Sequence, residues 1–86
     1  MIYEVGFKPA ALRQLRKLDA KVQTNILTEI EFLADDPRPS DCKKLKGETN
    51  LYRIRVSGTY RVVYEIQDKQ LLVTVVKIGH RRDIYR

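Results

Sequence analysis

The chain has little of what builds disulfides, metal sites and membrane spans. Cys42 is the only cysteine and His80 the only histidine among its 86 residues. One thiol cannot form an intrachain disulfide, which fits a reducing cytosol, and one Cys with one His cannot supply a closed metal site. No apolar run is long enough to cross a bilayer, and the N-terminus lacks a basic stretch followed by an apolar one. We therefore expect a complete cytoplasmic protein that works without a metal or other cofactor.

Acidic residues are scarce in the second half of the chain, and positive charge collects there. The formal net charge is +6. Residues 1–42 carry six Lys or Arg against seven Asp or Glu, whereas residues 43–86 carry eleven against four. This distribution indicates an anionic partner for the second half. The alternative is a basic surface that only keeps the protein in solution.

The length predicts one domain over residues 1–86 with one modest core. The apolar pattern predicts four strands, at Ile2–Phe7, Leu51–Val56, Tyr60–Ile66 and Leu71–Ile78. Two helices lie between the first and second strands: Pro9 suits the start of one, Asp19 can cap the other, and Pro37 stops it. The predicted fold class is α+β with the order βααβββ, an antiparallel sheet covered on one face by an N-terminal helical hairpin.

Basic side chains recur with the period of a strand. Successive side chains of a strand point to opposite faces, so Arg53 and Arg55 share the face that the apolar residues of their strand leave. Arg61 joins them if the two strands are neighbours, and Lys77 and Arg81 have the parity to extend the patch. Clustered guanidinium groups repel one another unless an anion binds between them. An open basic sheet of this kind suits a phosphodiester backbone.

Four segments carry a resemblance to a known family, namely Lys43–Gly47, Leu51–Arg55, Gly58–Tyr64 and Ile78–Tyr85. Together with the βααβββ order they resemble the RelE toxins of the RelE/ParE superfamily, over essentially the whole chain. The resemblance implies a type II toxin with a microbial-ribonuclease-like sheet that lacks the usual catalytic acid and base. It also implies ribosome-dependent cleavage of messenger RNA in the A site of the 70S ribosome, and a RelB-like antitoxin as partner.

The reaction that fits is attack of a ribose 2′-hydroxyl on the adjacent phosphate, which leaves a 2′,3′-cyclic phosphate and a 5′-hydroxyl. It requires removal of the 2′ proton, stabilisation of the extra phosphorane charge and protonation of the leaving oxygen. By resemblance, Arg61 stabilises the charge, because its fork of donors matches phosphate oxygens. Arg81 matches the family arginine that assists the leaving group. Tyr85 matches a tyrosine near the C-terminus of the RelE toxins, and its predicted role is to stack on a base or orient the 2′-hydroxyl, with packing of the tail onto the sheet as the alternative.

The identity of the base is where the chain departs from the family. Arg53 and Arg55 occupy positions at which the best-studied members carry lysines, and arginine does not serve as a general base. We therefore predict that both contact phosphate and RNA. His80 is the natural substitute, since its ordinary pKa of about 6.5 suits proton transfer near neutrality. An exposed loop histidine is the alternative.

Four further basic residues are predicted to contact ribosomal RNA. These residues are Lys43, Lys44, Lys46 and Arg82. Ordinary solvated charges are the alternative for each of them. Two other functions remain open for the whole chain: a ParE-like protein that inhibits DNA gyrase by binding and cuts nothing, and an RNA-binding module without chemistry.

Overall fold

Two helices pack on a five-stranded sheet in the computed structural model of the chain, which describes residues 2–47 and 49–83. In chain order the elements are β1 (Glu4–Phe7), α1 (Pro9–Arg16), α2 (Ala20–Asp35), β2 (Lys43–Lys44), β3 (Leu51–Val56), β4 (Tyr60–Gln67) and β5 (Leu72–His80). A single 3₁₀ turn at Asp68–Gln70 joins β4 to β5. The predicted α+β class, with a helical hairpin on one face of a sheet, is confirmed.

The sheet order is β1-β5-β4-β3-β2. The strands β2 to β5 pair antiparallel, but β1 pairs parallel with β5, from Glu4 beside Leu72 to Phe7 beside Val75. The sheet is therefore mixed, and the prediction of an antiparallel sheet is wrong for β1. A parallel pair needs a long crossover connection, and the helical hairpin with the three following strands supplies it. The two-residue strand β2 was not predicted, because two exposed lysines carry no strand pattern.

Local sequence sets the ends of both helices. Pro9 is the first residue of α1, where a missing N–H is tolerated, and Asp19 is the N-cap residue of α2. The Asp19 side chain makes no capping hydrogen bond, so the predicted position is right without the predicted contact. The helix α2 ends at Asp35, two residues before Pro37. Neither helix is long and apolar enough to span a membrane.

The core lies between the helices and one face of the sheet. Helical periodicity and strand alternation predict ten residues for this covered face, and seven of them are buried, namely Leu15, Ile26, Ile30, Leu33, Ile54, Val62 and Tyr64. Leu12, also predicted, is half-buried. Leu18 and Val22 pack against them while half-buried. β5 contributes Val73, Val75 and Ile78 to the same core. Because this core covers one face of the sheet, the opposite face is the one that can bind a ligand.

The loop after α2 is fastened to the sheet by polar contacts. The Tyr64 hydroxyl donates to the Pro37 carbonyl at 2.7 Å, and Arg38 donates to both carboxylate oxygens of Asp68, at 2.8 and 3.1 Å. Tyr3 donates to the same carboxylate at 2.7 Å. The hydrogen bonds from Arg38, then from Tyr3, lower the pKa of Asp68 to about 2. Burial raises the pKa of Tyr64 far above its usual value, so its hydroxyl stays a donor.

Candidate functional site

The sheet face opposite the helices carries basic residues in two adjacent rows. The first row consists of Arg55, Arg61 and Gly79, and the second of Arg53, Val63 and Lys77. We call Arg53, Arg55, Arg61 and Lys77 the basic face. Arg55 lies directly opposite Arg61 across β3 and β4, so their Cβ atoms are about 5 Å apart. The prediction that three guanidinium groups share one side of the sheet is confirmed, and Lys77 joins them as its parity predicted.

A bulge in β5 creates the second row. The register shifts between Val63 and Tyr64, whose partners are Lys77 and Val75, so that Val76 is an extra residue without an opposite neighbour. Strict alternation from Val75 would point Lys77 into the core. The bulge therefore moves Lys77 onto the basic face, which is a usual effect of such insertions near functional sites.

The guanidinium of Arg61 is held in place rather than extended into solvent. Arg61 and Arg53 are each only 8% exposed, which departs from the expectation that they stand on an open face, whereas Arg55 is exposed. Nη1 of Arg61 donates to the carbonyls of Gly58 and Tyr60, at 3.1 and 3.2 Å. These bonds fold the side chain back towards the β3–β4 turn. They also fix the direction of the guanidinium before any ligand binds.

The same turn ties Arg81 to this end of the sheet. Ser57 and Gly58 have φ values of 54° and 70°, a left-handed conformation that glycine adopts without strain. The next residue, Thr59, accepts a hydrogen bond at 2.8 Å from the Arg81 backbone N–H. Arg61 and Arg81 are thus anchored to consecutive residues of one turn. The structure brings the two predicted catalytic arginines to the same end of the sheet.

His80 lies on the other side of the sheet from Arg61. It is opposite Tyr60 in register, and the two rings meet edge-on with centroids 6.0 Å apart. Because Tyr60 packs against the core, His80 is on the helical face. Its Nδ1 accepts the Arg82 backbone N–H at 3.1 Å, so a neutral ring carries its proton on Nε2. Tyr85 is outside the residues that the structure describes, and its predicted role remains a prediction.

The lysines of β2 extend the positive surface along the sheet edge. Lys43 is opposite Arg53 in register and shares its face, whereas Lys44 is opposite Tyr52. A surface depression of about 330 Å³ is lined by Lys43, Lys44, Leu45, Lys46 and Arg53. The pairing of Lys43 with Arg53 was not predicted, because the strand β2 itself was not predicted. The turn at Gly47, between the lysines and β3, was the signal that could have predicted a hairpin there.

Residues 5–85 match the family described as the ParE toxin of the type II toxin–antitoxin system parDE. The chain therefore belongs to this family of toxins from type II toxin–antitoxin systems.

Individual relatives give a finer position within that family. The mRNA interferase toxin RelE of Escherichia coli is 32% identical over 82 residues, covering 94% of this chain and 85% of the relative. Toxin RelG of Mycobacterium tuberculosis is 33% identical over 89 residues, covering 100% and 99%. The RelBE2 toxin–antitoxin complex from M. tuberculosis superposes with a TM-score of 0.84 at 29% identity, covering 96% of this chain and 95% of the other. The chain is a RelE-type toxin of the RelE/ParE superfamily.

Proposed function

We propose that this toxin is a ribosome-dependent endoribonuclease that cleaves messenger RNA in the A site. The observation that carries the proposal is the direct opposition of Arg55 and Arg61, with Arg53 in the adjacent row of the same face. Like charges directly opposite on a sheet destabilise it. A bound phosphodiester removes that repulsion, and RNA supplies one at every nucleotide. The name of the E. coli relative, an mRNA interferase toxin, supports the same substrate class.

The reaction proposed is attack of a ribose 2′-hydroxyl on the neighbouring phosphate, with departure of the 5′ oxygen. Arg61 binds the non-bridging oxygens and stabilises the extra charge of the phosphorane, which its preset orientation favours. Arg81 stabilises the leaving oxygen from the segment after β5. Tyr85 stacks on a base or orients the 2′-hydroxyl. His80 is a candidate for the proton transfer, as predicted from the sequence.

A second set of basic residues binds RNA rather than takes part in chemistry, namely Arg53, Arg55, Lys43, Lys44, Lys46 and Arg82. Arg53 and Arg55 hold the phosphates next to the scissile one, and their planar donors favour bidentate contacts. Ribosomal RNA is the proposed ligand of the remaining cations, which are Lys43, Lys44, Lys46 and Arg82. Such contacts position the toxin without reading sequence. Ribosomes also place the proposed activity in the cytoplasm.

The proposed partner that silences the toxin is a RelB-like antitoxin. Its C-terminal segment is expected to be acidic and to fold on this domain as a helix or an added strand. Charge complementarity with the basic face supports an acidic segment. The RelBE2 relative was solved as a toxin–antitoxin complex, which supports a partner of this kind.

Growth arrest in cells that express the toxin tests the roles of the two arginines. Arg61→Ala and Arg81→Ala should each relieve the arrest while the variants still co-purify with the antitoxin. Loss of one preset donor group to a developing anion costs about 10²–10³ in rate. Arg13→Ala, on the exposed side of α1, is the charge-matched control and should stay toxic. A fully toxic Arg61→Ala/Arg81→Ala double variant would rule out the proposed mechanism.

A ParE-like inhibitor of DNA gyrase is the second candidate, because the matching family carries the ParE name. It has the same fold and needs no cleavage. A gyrase supercoiling assay with the purified toxin separates the two functions.

A further inference from the structure

We propose that Lys77 is the base that takes the proton from the attacking 2′-hydroxyl. This inference rests on the proposed ribonuclease function and assigns one of its steps. The neutral Lys77 amine accepts the proton as the 2′-O–H bond breaks and the bond from the 2′ oxygen to phosphorus forms. The bond from phosphorus to the 5′ oxygen then breaks, and that oxygen takes a proton from water. The ammonium of Lys77 returns its proton to solvent, so the cycle closes.

The chemistry needs such a group because the arginines of the basic face do not provide one. A guanidinium keeps its proton at any pH in which a protein is folded, so Arg53, Arg55 and Arg61 stabilise charge but accept no proton. A lysine amine can gain and lose a proton, which is why desolvated lysines act as general bases in other enzymes. Lys77 is the member of the basic face with this property.

The register places Lys77 close to the residue that would hold the phosphate. Lys77 is directly opposite Val63, and Arg61 is two residues from Val63 on the same face. Diagonal neighbours of this kind are about 7–8 Å apart, a separation that long side chains bridge. The lysine amine and the Arg61 guanidinium can thus contact one nucleotide, with the amine on the ribose and the guanidinium on the phosphate.

The backbone around Lys77 directs its side chain onto the basic face. The bulge at Val76 turns the side chain onto the basic face, and Lys77 is half-buried there. The next residue, Ile78, lies beyond the end of the β1 pairing, and its backbone N–H donates to the Gln14 side chain at 2.8 Å. Helix α1 therefore contacts β5 at the residue next to Lys77.

Other proton acceptors among the described residues are less well placed. His80 is on the helical face, and its Nδ1 is occupied by the Arg82 N–H. Glu65 shares the parity of Arg61 but is four residues away along β4, at roughly 14 Å for 3.4 Å per residue. Its carboxylate accepts a hydrogen bond from Gln67 at 2.9 Å. Lys43 is two strands away from Arg61.

Single-turnover cleavage of a defined message on programmed ribosomes, measured from neutral to alkaline pH, tests the assignment. Lys77→Arg keeps the positive charge and loses only the ability to accept a proton. We expect its rate to fall by about 10²–10⁴ and to lose the rise with pH that general-base catalysis predicts for the wild type. Lys77→Met, which keeps the apolar stem, should fall at least as far. Among the described residues, the charged groups that the register places on the face of Lys77 include Arg61 and Glu65 of β4, Arg53 and Arg55 of β3, Lys43 of β2 and Glu4 of β1, all unchanged in these variants.

The matched control is Lys69→Arg, in the exposed β4–β5 turn, which should cleave at the wild-type rate. Antitoxin binding and thermal unfolding verify that each variant folds. A Lys77→Arg protein with the wild-type rate and pH profile would overturn the assignment. Loss of the pH dependence in His80→Ala but not in Lys77→Arg would move the role to His80. If the wild type cleaves the message and Arg61→Ala does not, wild-type cleavage by Lys77→Arg rejects the role of Lys77 but not the proposed function. If the wild type does not cleave the message, the proposed function is rejected as well.

Discussion

Removal of a single buried hydroxyl should loosen the attachment of the α2–β2 loop to the sheet. Tyr64 is fully buried, and its ring stacks on Tyr52 with centroids 6.1 Å apart. Its hydroxyl donates to the carbonyl of Pro37, which is itself buried. Tyr64→Phe keeps the ring and its packing but leaves the Pro37 carbonyl without this donor. The variant therefore isolates one hydrogen bond between the sheet and the loop that leads to the β2 lysines.

The expected cost follows from the burial of both partners. A buried acceptor that loses its donor destabilises a protein by about 1–3 kcal/mol. The lower part of that range, about 1–2 kcal/mol, is expected because both partners are uncharged groups. For a domain of this size each kcal/mol corresponds to about 4–8 °C, so the melting midpoint should fall by roughly 5–15 °C.

Urea and thermal unfolding of the purified protein measure the change. The matched control is Tyr60→Phe: Tyr60 is half-buried on the same face of β4, and its hydroxyl has no hydrogen bond with the described residues. Its free energy of unfolding should change by less than about 0.5 kcal/mol. Equal losses of stability in the two variants would mean that the hydrogen bond to Pro37 contributes nothing to the stability of the fold.

Two further predictions concern the Asp68 cluster and the β3–β4 turn. The pKa of Asp68 is about 2 in the folded protein against an ordinary 3.8, so its stabilising effect is present above pH 3.8 and is lost as the pH falls towards 2. Asp68→Asn should reduce the fall in the free energy of unfolding between pH 3.8 and about pH 2. An unchanged fall would show that the contact between Asp68 and Arg38 does not cause it. Gly58→Ala should cost about 1–2 kcal/mol because Gly58 has a φ of 70°, and it should also slow cleavage by moving the carbonyl that holds Arg61. Gly6→Ala, at a position with open space and no left-handed φ, is its control and should change neither quantity.

Periodicity was enough to predict the helical hairpin, four of the five described strands and the face that carries the arginines. Each of those elements is long enough for its buried side to show in the sequence, as in Leu51–Val56. The direction of β1 was not predictable in this way, because alternation in Glu4–Phe7 says nothing about which strand lies beside it. The strand Lys43–Lys44 is too short and polar to show any period.

Less of the candidate site than of the fold could be predicted from the sequence. His80 was predicted as the substitute base from its chemistry, yet its register position opposite Tyr60 places it on the other side of the sheet from Arg61. The burial of Arg53 and Arg61 depends on how long side chains fold back on the sheet, for which a sequence has no signal. Lys77 was placed correctly from the parity of Gly79, although the bulge that makes this possible appears only in the paired strands.

Cleavage of a defined message by purified toxin on programmed ribosomes, run beside a gyrase supercoiling assay, decides whether the toxin is a ribonuclease. We expect the wild type to give fragments ending in a 2′,3′-cyclic phosphate and a 5′-hydroxyl, Arg61→Ala to lose cleavage, and gyrase to keep its supercoiling activity. An intact message together with blocked supercoiling, or equal cutting by wild type and Arg61→Ala, would contradict this expectation.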